Sequence, residues 1–265
     1  MSNLLHVLDL SITDKRNQKT LVSHLSFELK EAQTLGIIGE SGSGKSLSCK
    51  AIMGLNAPWL DVRGSILFEG EELIGASSEK LRHLRGKKIA MVLQDAINAF
   101  DPLCTIGAHM LESLIEFKSF HEAHELSLYW LHKMGLNASK ELMQAYPHEL
   151  SGGMLQRVMI ALALAQETRL IIADEPTSAL DVIHQRHIIE LFKTIQEEEN
   201  KTLLFVSHDL GVISYLAENV LVMKEGRSVE YQKAEQLFTA PSHEYTRYLI
   251  HTRQMLSQRF QQCFA

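Results

Sequence analysis

The sequence predicts an α/β protein built on a parallel sheet with helices on both faces, and three observations carry that prediction. Short apolar runs, "TLGIIG" (34–39), "LIIAD" (170–174) and "TLLFVS" (202–207), have the length of strands buried on both sides. Helix-compatible stretches, Lys45 to Leu55, Gly153 to Gln166 and Val182 to Glu198, alternate with them. After a middle stretch of helical periodicity the chain returns to this alternation of strand and helix.

The remaining elements follow in chain order. "LLHVLDLSI" (4–12) and "HLSFELK" (24–30) alternate like edge strands around the polar turn "TDKRNQK", so they are expected to form an antiparallel hairpin. "GSILFEG" (64–70) and "KKIAMVLQ" (87–94) read as further strands. Beyond Pro102 the periodicity becomes helical to about residue 145, which predicts a mostly helical insertion. "NVLVMKEGRSVEYQ" (219–232) reads as a hairpin around Glu225-Gly226, and "SHEYTRYLIHTRQMLSQRF" (242–260) as an amphipathic C-terminal helix. No internal repeat or low-complexity segment interrupts this order.

Composition narrows the function. At 265 residues and 45% apolar the chain can bury a full core, and a net charge of −6 argues against a surface built to hold nucleic acid. The N-terminus lacks the basic and apolar regions of a signal peptide, and no apolar window is long enough to span a bilayer, so the chain is expected to stay in the cytoplasm. Cys49, Cys104 and Cys263 are odd in number and far apart, which fits reduced thiols rather than a disulfide framework or zinc site.

"GESGSGKS" (39–46) fits G-x-x-x-x-G-K-[ST] between a strand and a helix, the context a phosphate-binding loop (P-loop) requires. Gly39, Gly42 and Gly44 let the backbone turn its N–H groups around phosphate oxygens, with Glu40, Ser41 and Ser43 completing the loop. Lys45 is expected to bridge the β- and γ-phosphates of ATP, and the Ser46 hydroxyl to ligate Mg²⁺. The strand "LIIAD" then delivers Asp174, expected to reach the Mg²⁺, and Glu175, expected to polarise the attacking water. Ser151, Gly152 and Gly153 place bare backbone donors, a hydroxyl and a positive dipole end at a second helix mouth. Since Lys45 and its loop already hold phosphate in this chain, the second donor set is expected to complete the site of a neighbouring chain.

"LSGGMLQ" (150–156), together with the P-loop, the "LIIADE" strand, "SALD" (178–181) and "VSHD" (206–209), resembles the ATP-binding cassette family, over residue 4 to about 250. The resemblance implies a P-loop NTPase cassette: a RecA-like core, an N-terminal antiparallel β subdomain and a helical insertion at about 95–165. It groups 1–250 as one domain, leaving a helical tail at 251–265. It further implies a head-to-tail pair of cassettes with ATP between the P-loop of one and the "LSGG" helix of the other. By the same resemblance Gln94 contacts Mg²⁺ and water, Asp181 reports across the dimer interface and His208 touches the γ-phosphate. The sequence departs from the family at Met154, where many cassettes have Gln, and in the first hairpin, whose "SITDKRNQ" (11–18) offers no aromatic ring to adenine.

A cassette without a membrane span resembles importer ATPases, whose two permeases and substrate-binding protein are separate chains. "AFDPLCTIG" (99–107), "YPHELSGGMLQRVMIALALA" (146–165), "IIADEPTSALD" (171–181) and "APSHEYTRYL" (240–249) resemble the nickel, peptide and opine uptake subfamily. "GESGSGKSLSCKAIMGL" (39–55), "GGMLQR" and the short C-terminus with its single cysteine are similar to the first ATPase subunit of nickel and metallophore importers. The resemblance implies nickel, cobalt or metal-chelate cargo, with dipeptides or oligopeptides as the alternative and a DNA-repair or translation cassette more distant. It also implies a peripheral position on the cytoplasmic face of the inner membrane, with a second ATPase, homologous or identical, as partner. The permease contact is expected on Gln94 to Gly107. The "HEAH" of 121–124 lacks the H-E-x-x-H spacing and is expected on a solvated helix face.

Overall fold

A computed structural model of the chain describes residues 3–137 and 139–252. In chain order its elements are β1 (Asn3–Asp14), β2 (Lys19–Lys30), β3 (Thr34–Gly39), α1 (Lys45–Ile52), β4 (Leu60–Phe68), β5 (Glu71–Glu72), α2 (Ser78–Leu84), β6 (Ile89–Val92), α3 (Ile106–Glu112), α4 (Phe120–Lys133) and α5 (Lys140–Gln144). They continue with α6 (Gly152–Ala165), β7 (Leu170–Asp174), α7 (Val182–Glu199), β8 (Thr202–Val206), α8 (Leu210–Leu216), β9 (Asn219–Lys224), β10 (Arg227–Lys233) and α9 (Ala234–Thr239), and residues 244–252 are helical. The tail expected at 251–265 lies outside the described residues beyond Thr252, as does Cys263.

The described chain forms two compact units: one runs to Ser77 and resumes at Thr202, the other is Ser78–Lys201. In the first, an antiparallel sheet of order β2-β1-β4-β5 contains the expected hairpin, but β1 is internal, paired with β2 on one side and β4 on the other. The alternation in β1 marks one wet face rather than a sheet edge, because a half-buried antiparallel strand shows the same period-two pattern wherever it sits. The same unit holds the run β10-β9-β3-β8, in which β3 pairs in parallel with both β8 and β9. Ile37, Ile38, Leu204, Phe205, Val220 and Leu221 are fully buried there, each contributing about 1.5–3 kcal/mol as its side chain leaves water. Helix α8, absent from the sequence expectations, lies so close to β3 that a Cβ on Gly36 would meet Ile213 Cγ2 at 2.7 Å.

In the second unit β6 and β7 pair in parallel, and the expected helical insertion resolves into α3, α4 and α5. Helix α6 packs against α4 and β6, burying residues round most of its circumference from Leu155 to Ala165, which accounts for its nearly unbroken apolar sequence. Helix α2 was also not anticipated; only Leu84 of its residues is buried, so it carries little apolar signal.

The β9–β10 hairpin turns on Glu225 (φ 48) and Gly226 (φ 78), both left-handed, as a two-residue type I′ connection requires. Gly226 also joins neighbours: its carbonyl accepts from the Ser23 amide at 2.8 Å, and its own amide donates to the Ser43 carbonyl at 3.1 Å. A Cβ at Gly226 would lie 2.4 Å from the Leu21 carbonyl oxygen. Further along β10, the Glu230 carboxylate accepts from the amides of Ser242 (2.7 Å) and His243 (3.0 Å), tying down the start of the C-terminal helix. Burial pushes the Glu230 pKa up, but the donors gathered round it win and hold it below the ordinary glutamate value.

Two outcomes follow for stability. Gly226→Ala combines a strained φ with that backbone clash, so its urea midpoint should fall by the equivalent of more than about 1 kcal/mol; an unchanged midpoint would contradict the close approach. Because the folded pKa of Glu230 is lowered, its contribution is present above the unfolded value of 4.5 and is lost as pH falls through the folded one. Glu230→Gln should therefore be less stable than the parent near neutrality, and the gap should close on acidification from about pH 6 to about pH 3. A pH-independent gap would contradict the assignment.

Candidate functional site

In the first unit the P-loop leaves β3 at Gly39, turns through Gly42 (φ 81) and Gly44 (φ 99), and enters α1 at Lys45. Gly39 is required by contact: a Cβ there would lie 2.2 Å from the Met223 carbonyl oxygen and 2.8 Å from Ser43 Oγ. Gly44 carries no side-chain cap and enters the helix in a left-handed conformation, which glycine adopts at no steric cost. A Cβ at Gly42 would meet nothing within 4 Å, so the loop there is open. An open turn of left-handed glycines at a helix mouth fits an anion such as a nucleotide's phosphates.

Lys45 is only 6% exposed, yet its ammonium is well supplied with acceptors: the carbonyls of Gly39 (2.9 Å) and Glu40 (2.8 Å), with Ser43 Oγ at 3.5 Å. The loop therefore folds around its own lysine, and the Ser43 amide closes a turn onto the Glu40 carbonyl at 3.2 Å. Glu40 and Ser41 are exposed, Ser43 is buried and Ser46 half-buried on the first turn of α1. His208 also belongs to this unit. It is exposed in the turn between β8 and α8, while its neighbour Asp209 caps α8 by accepting from the amides of Gly211 (2.9 Å) and Val212 (3.4 Å).

In the second unit β7 delivers the two acids. Asp174, 2% exposed, ends the strand; Glu175 follows in a left-handed conformation (φ 48), which a non-glycine residue holds only where its surroundings demand it. Gln94 Nε2 donates to Glu175 Oε2 at 3.3 Å, so the structure brings together the two residues assigned to the water. Behind them Gln156, 1% exposed in α6, donates through Nε2 to the Leu93 carbonyl at 3.3 Å and so ties α6 to the residue beside Gln94. Sequence reasoning gave Gln156 no part; a glutamine turned into an apolar helix face was the available signal.

Ser151, Gly152 and Gly153 open α6 as the sequence expects. Ser151 is the N-cap, its hydroxyl accepting from the amide of Met154, the residue that departs from the family's glutamine, at 3.3 Å. Beyond Gly152 a Cβ would meet nothing within 4 Å, whereas at Gly153 it would press on the Ala179 carbonyl at 3.3 Å. The helix mouth thus faces open space on one side and rests on the 179–180 segment on the other. Arg157 fastens it to the end of α4 through the carbonyls of Met134 (3.2 Å) and Gly135 (3.1 Å). Asp181 caps α7 by accepting from the amides of Ile183 (3.1 Å) and His184 (3.0 Å), bonds that hold its carboxyl below the ordinary range.

Two features lay outside the sequence reading. The hairpin turn does receive an aromatic ring, though from elsewhere: Trp59, ahead of β4, lies under the Arg16 guanidinium at 4.8 Å, while Arg16 also holds the Asp14 carboxyl down to about 2. Gly226 and Tyr245, distant in sequence, both bond to the P-loop backbone. On α4, His121 is exposed and His124 stacks on Phe120, and among the described residues no cluster of three His, Cys, Asp or Glu is placed to hold a metal ion. No helix among the described residues is long and apolar enough to cross a membrane.

Comparison with known proteins accords with this geometry. The ABC transporter family model matches residues 22–178. The metal-staphylopine import system ATP-binding protein CntD of Staphylococcus aureus is 44% identical over 259 residues, covering 97% of this chain and 96% of the relative. The oligopeptide transport ATP-binding protein OppD of Salmonella typhimurium is 41% identical over 247 residues, 92% of this chain and 74% of the relative. Among solved structures, the dimeric post-hydrolysis state of the ATP-binding cassette MJ0796 with ADP and phosphate superimposes with a TM-score of 0.78 at 29% identity, covering 87% of this chain and 98% of that one. The chain belongs to the ATP-binding cassette transporter family, as an ATP-hydrolysing subunit of an importer.

Proposed function

We propose that this subunit powers uptake of a transition metal, nickel or cobalt, or of a metal chelate. The observation that carries the reading is the 44% identity to a metal-staphylopine import ATPase along 97% of the chain. A second reading, dipeptide or oligopeptide uptake, is favoured by the 41% identity to OppD and uses the same chemistry.

Within the chain, residues 39–46 hold the phosphates: Gly39, Gly42 and Gly44 shape the loop, Glu40, Ser41 and Ser43 complete it, and Lys45 supplies positive charge. Asp174, whose carboxylate is buried, Ser46 and Gln94 each carry an oxygen of the kind that suits Mg²⁺ and are the residues that would hold it; when bound it would offset the negative charge of the phosphates. Glu175 accepts the proton of the attacking water, oriented by its contact with Gln94, and His208 meets the γ-phosphate. Ser151, Gly152 and Gly153, with Asp181, serve nucleotide held by a partner cassette, homologous or a second copy. The open side of the helix mouth at Gly152 supports that role. The assembly adds two permeases and a substrate-binding protein, and sits at the cytoplasmic face of the membrane. Residues 94–107 meet the permeases: Leu103, 84% exposed, and Ile97, 64% exposed, support a docking role there.

Glu175→Gln tests the chemistry. It keeps the hydrogen-bonding shape and removes the base, so the assembled transporter should bind ATP as before and lose turnover by at least about 100-fold. Retained hydrolysis would remove Glu175 from that role. Cargo is tested by accumulation of radioactive nickel in cells with and without the gene, with cobalt and a dipeptide mixture as competitors. Loss of nickel uptake that cobalt but not peptide competes supports the metal reading; unchanged nickel with impaired peptide uptake moves the cargo to peptides.

A further inference from the structure

The segment "APSHEYTRYL" (240–249) entered the sequence reading only as a mark of subfamily likeness, and nothing in the phosphate chemistry used it. The structure places its tyrosine against the P-loop. Tyr245 is 5% exposed, and its phenol oxygen accepts a hydrogen bond from the Glu40 backbone amide at 3.2 Å. That amide belongs to the peptide whose carbonyl, on Gly39, accepts from Lys45 Nζ at 2.9 Å. One peptide plane is thus held at both ends, by the ammonium on one side and the phenol on the other. Such a pair polarises the group between them, so each bond strengthens its neighbour.

Tyr245 is itself held from several directions. Lys224 Nζ lies 4.9 Å from the centre of its ring, and its backbone amide donates to His243 Nδ1 at 3.1 Å. Glu230 anchors the amides of Ser242 and His243, and Arg247 Nη1 donates to the carbonyls of Pro241 (3.2 Å) and Ser242 (2.8 Å). The ring therefore cannot leave the P-loop without unfastening the start of the helix at 244–252. A tyrosine fixed this firmly, with its hydroxyl on a backbone amide of the loop, does more than fill space, since phenylalanine would fill it equally well.

We propose that Tyr245 is a positioning residue of the nucleotide site: its hydroxyl fixes the Gly39–Glu40 peptide, and through it the Lys45 ammonium, in the geometry the phosphates use. The inference rests on the assignment of residues 39–46 to phosphate binding. It makes the C-terminal helix part of the nucleotide machinery. By reciprocity, nucleotide at the loop stabilises the docking of that helix by the factor the hydroxyl adds to nucleotide affinity.

The test uses the purified full-length chain and a non-hydrolysable ATP analogue with Mg²⁺, comparing Tyr245→Phe, Lys45→Ala and Tyr248→Phe. Tyr248 is on the same helix and 59% exposed, so its variant controls for a generic effect on the helix. Tyr245→Phe should weaken analogue binding about 3- to 10-fold, the scale of one neutral hydrogen bond, with a fall in melting temperature no larger than the loss of one such bond causes; Tyr248→Phe should bind as the parent does. In turnover assays of the assembled transporter the change should fall on KM for ATP with kcat retained. Independently of any variant, the analogue should slow hydrogen exchange at amides 242–250 in the parent chain. Parent-like affinity in Tyr245→Phe while Lys45→Ala loses binding overturns this inference alone, as does exchange at 242–250 that ignores the analogue. Parent-like binding by Lys45→Ala overturns the assignment of the loop and the inference with it.

Discussion

The contact on which the site depends is the buried Lys45 ammonium lying against the carbonyls of Gly39 and Glu40. A cation 6% exposed is costly to bury unless its donors are satisfied, so the loop has to present carbonyl oxygen to it. Glycine at 39 follows from that constraint, because the backbone passes too close to Met223 for a side chain. The β9–β10 turn at Gly226 then locks the far side of the loop through Ser43. On the proposed assignment of residues 39–46 to phosphate, these neighbours shape the loop, which places the entropic cost of ordering it in folding rather than in binding.

The second unit shows the same economy at another helix mouth. Ser151 caps α6 while Gly152 leaves one side of its mouth open, Arg157 fastens the helix to the end of α4, and Gln156 reaches back to the backbone beside Gln94. A helix buried over most of its surface is a rigid carrier, so the placement of its N-terminus is set by packing. Gln94 and Glu175 each lie just beyond the end of a strand of one parallel pair, β6 and β7, and that placement brings their side chains into contact.

Much of this was legible in the sequence, for reasons specific to each element. Strands β3, β7 and β8 announce themselves because both their faces are buried, and the P-loop because its spacing encodes a backbone shape. The hairpin at Glu225-Gly226 was readable from its turn chemistry. Helices α2, α8 and α9 were not: each is six or seven residues long, too short for a period to show. Strand β1 was misplaced at an edge because alternation reports a wet face and says nothing of how many partners a strand has. The contacts of Gly226, Gln156 and Tyr245 escaped altogether, since each joins segments far apart in the chain and leaves no local pattern.

The claim that the loop is held ready by its surroundings is tested most directly by a crystal structure of the full chain with an ATP analogue and Mg²⁺. The expected result is an unchanged backbone at 39–46, Tyr245 still on the Glu40 amide, and the phosphates seated on the amides that open α1, within reach of the Lys45 ammonium. A loop that refolds around the nucleotide, or phosphates bound away from it, would contradict the account.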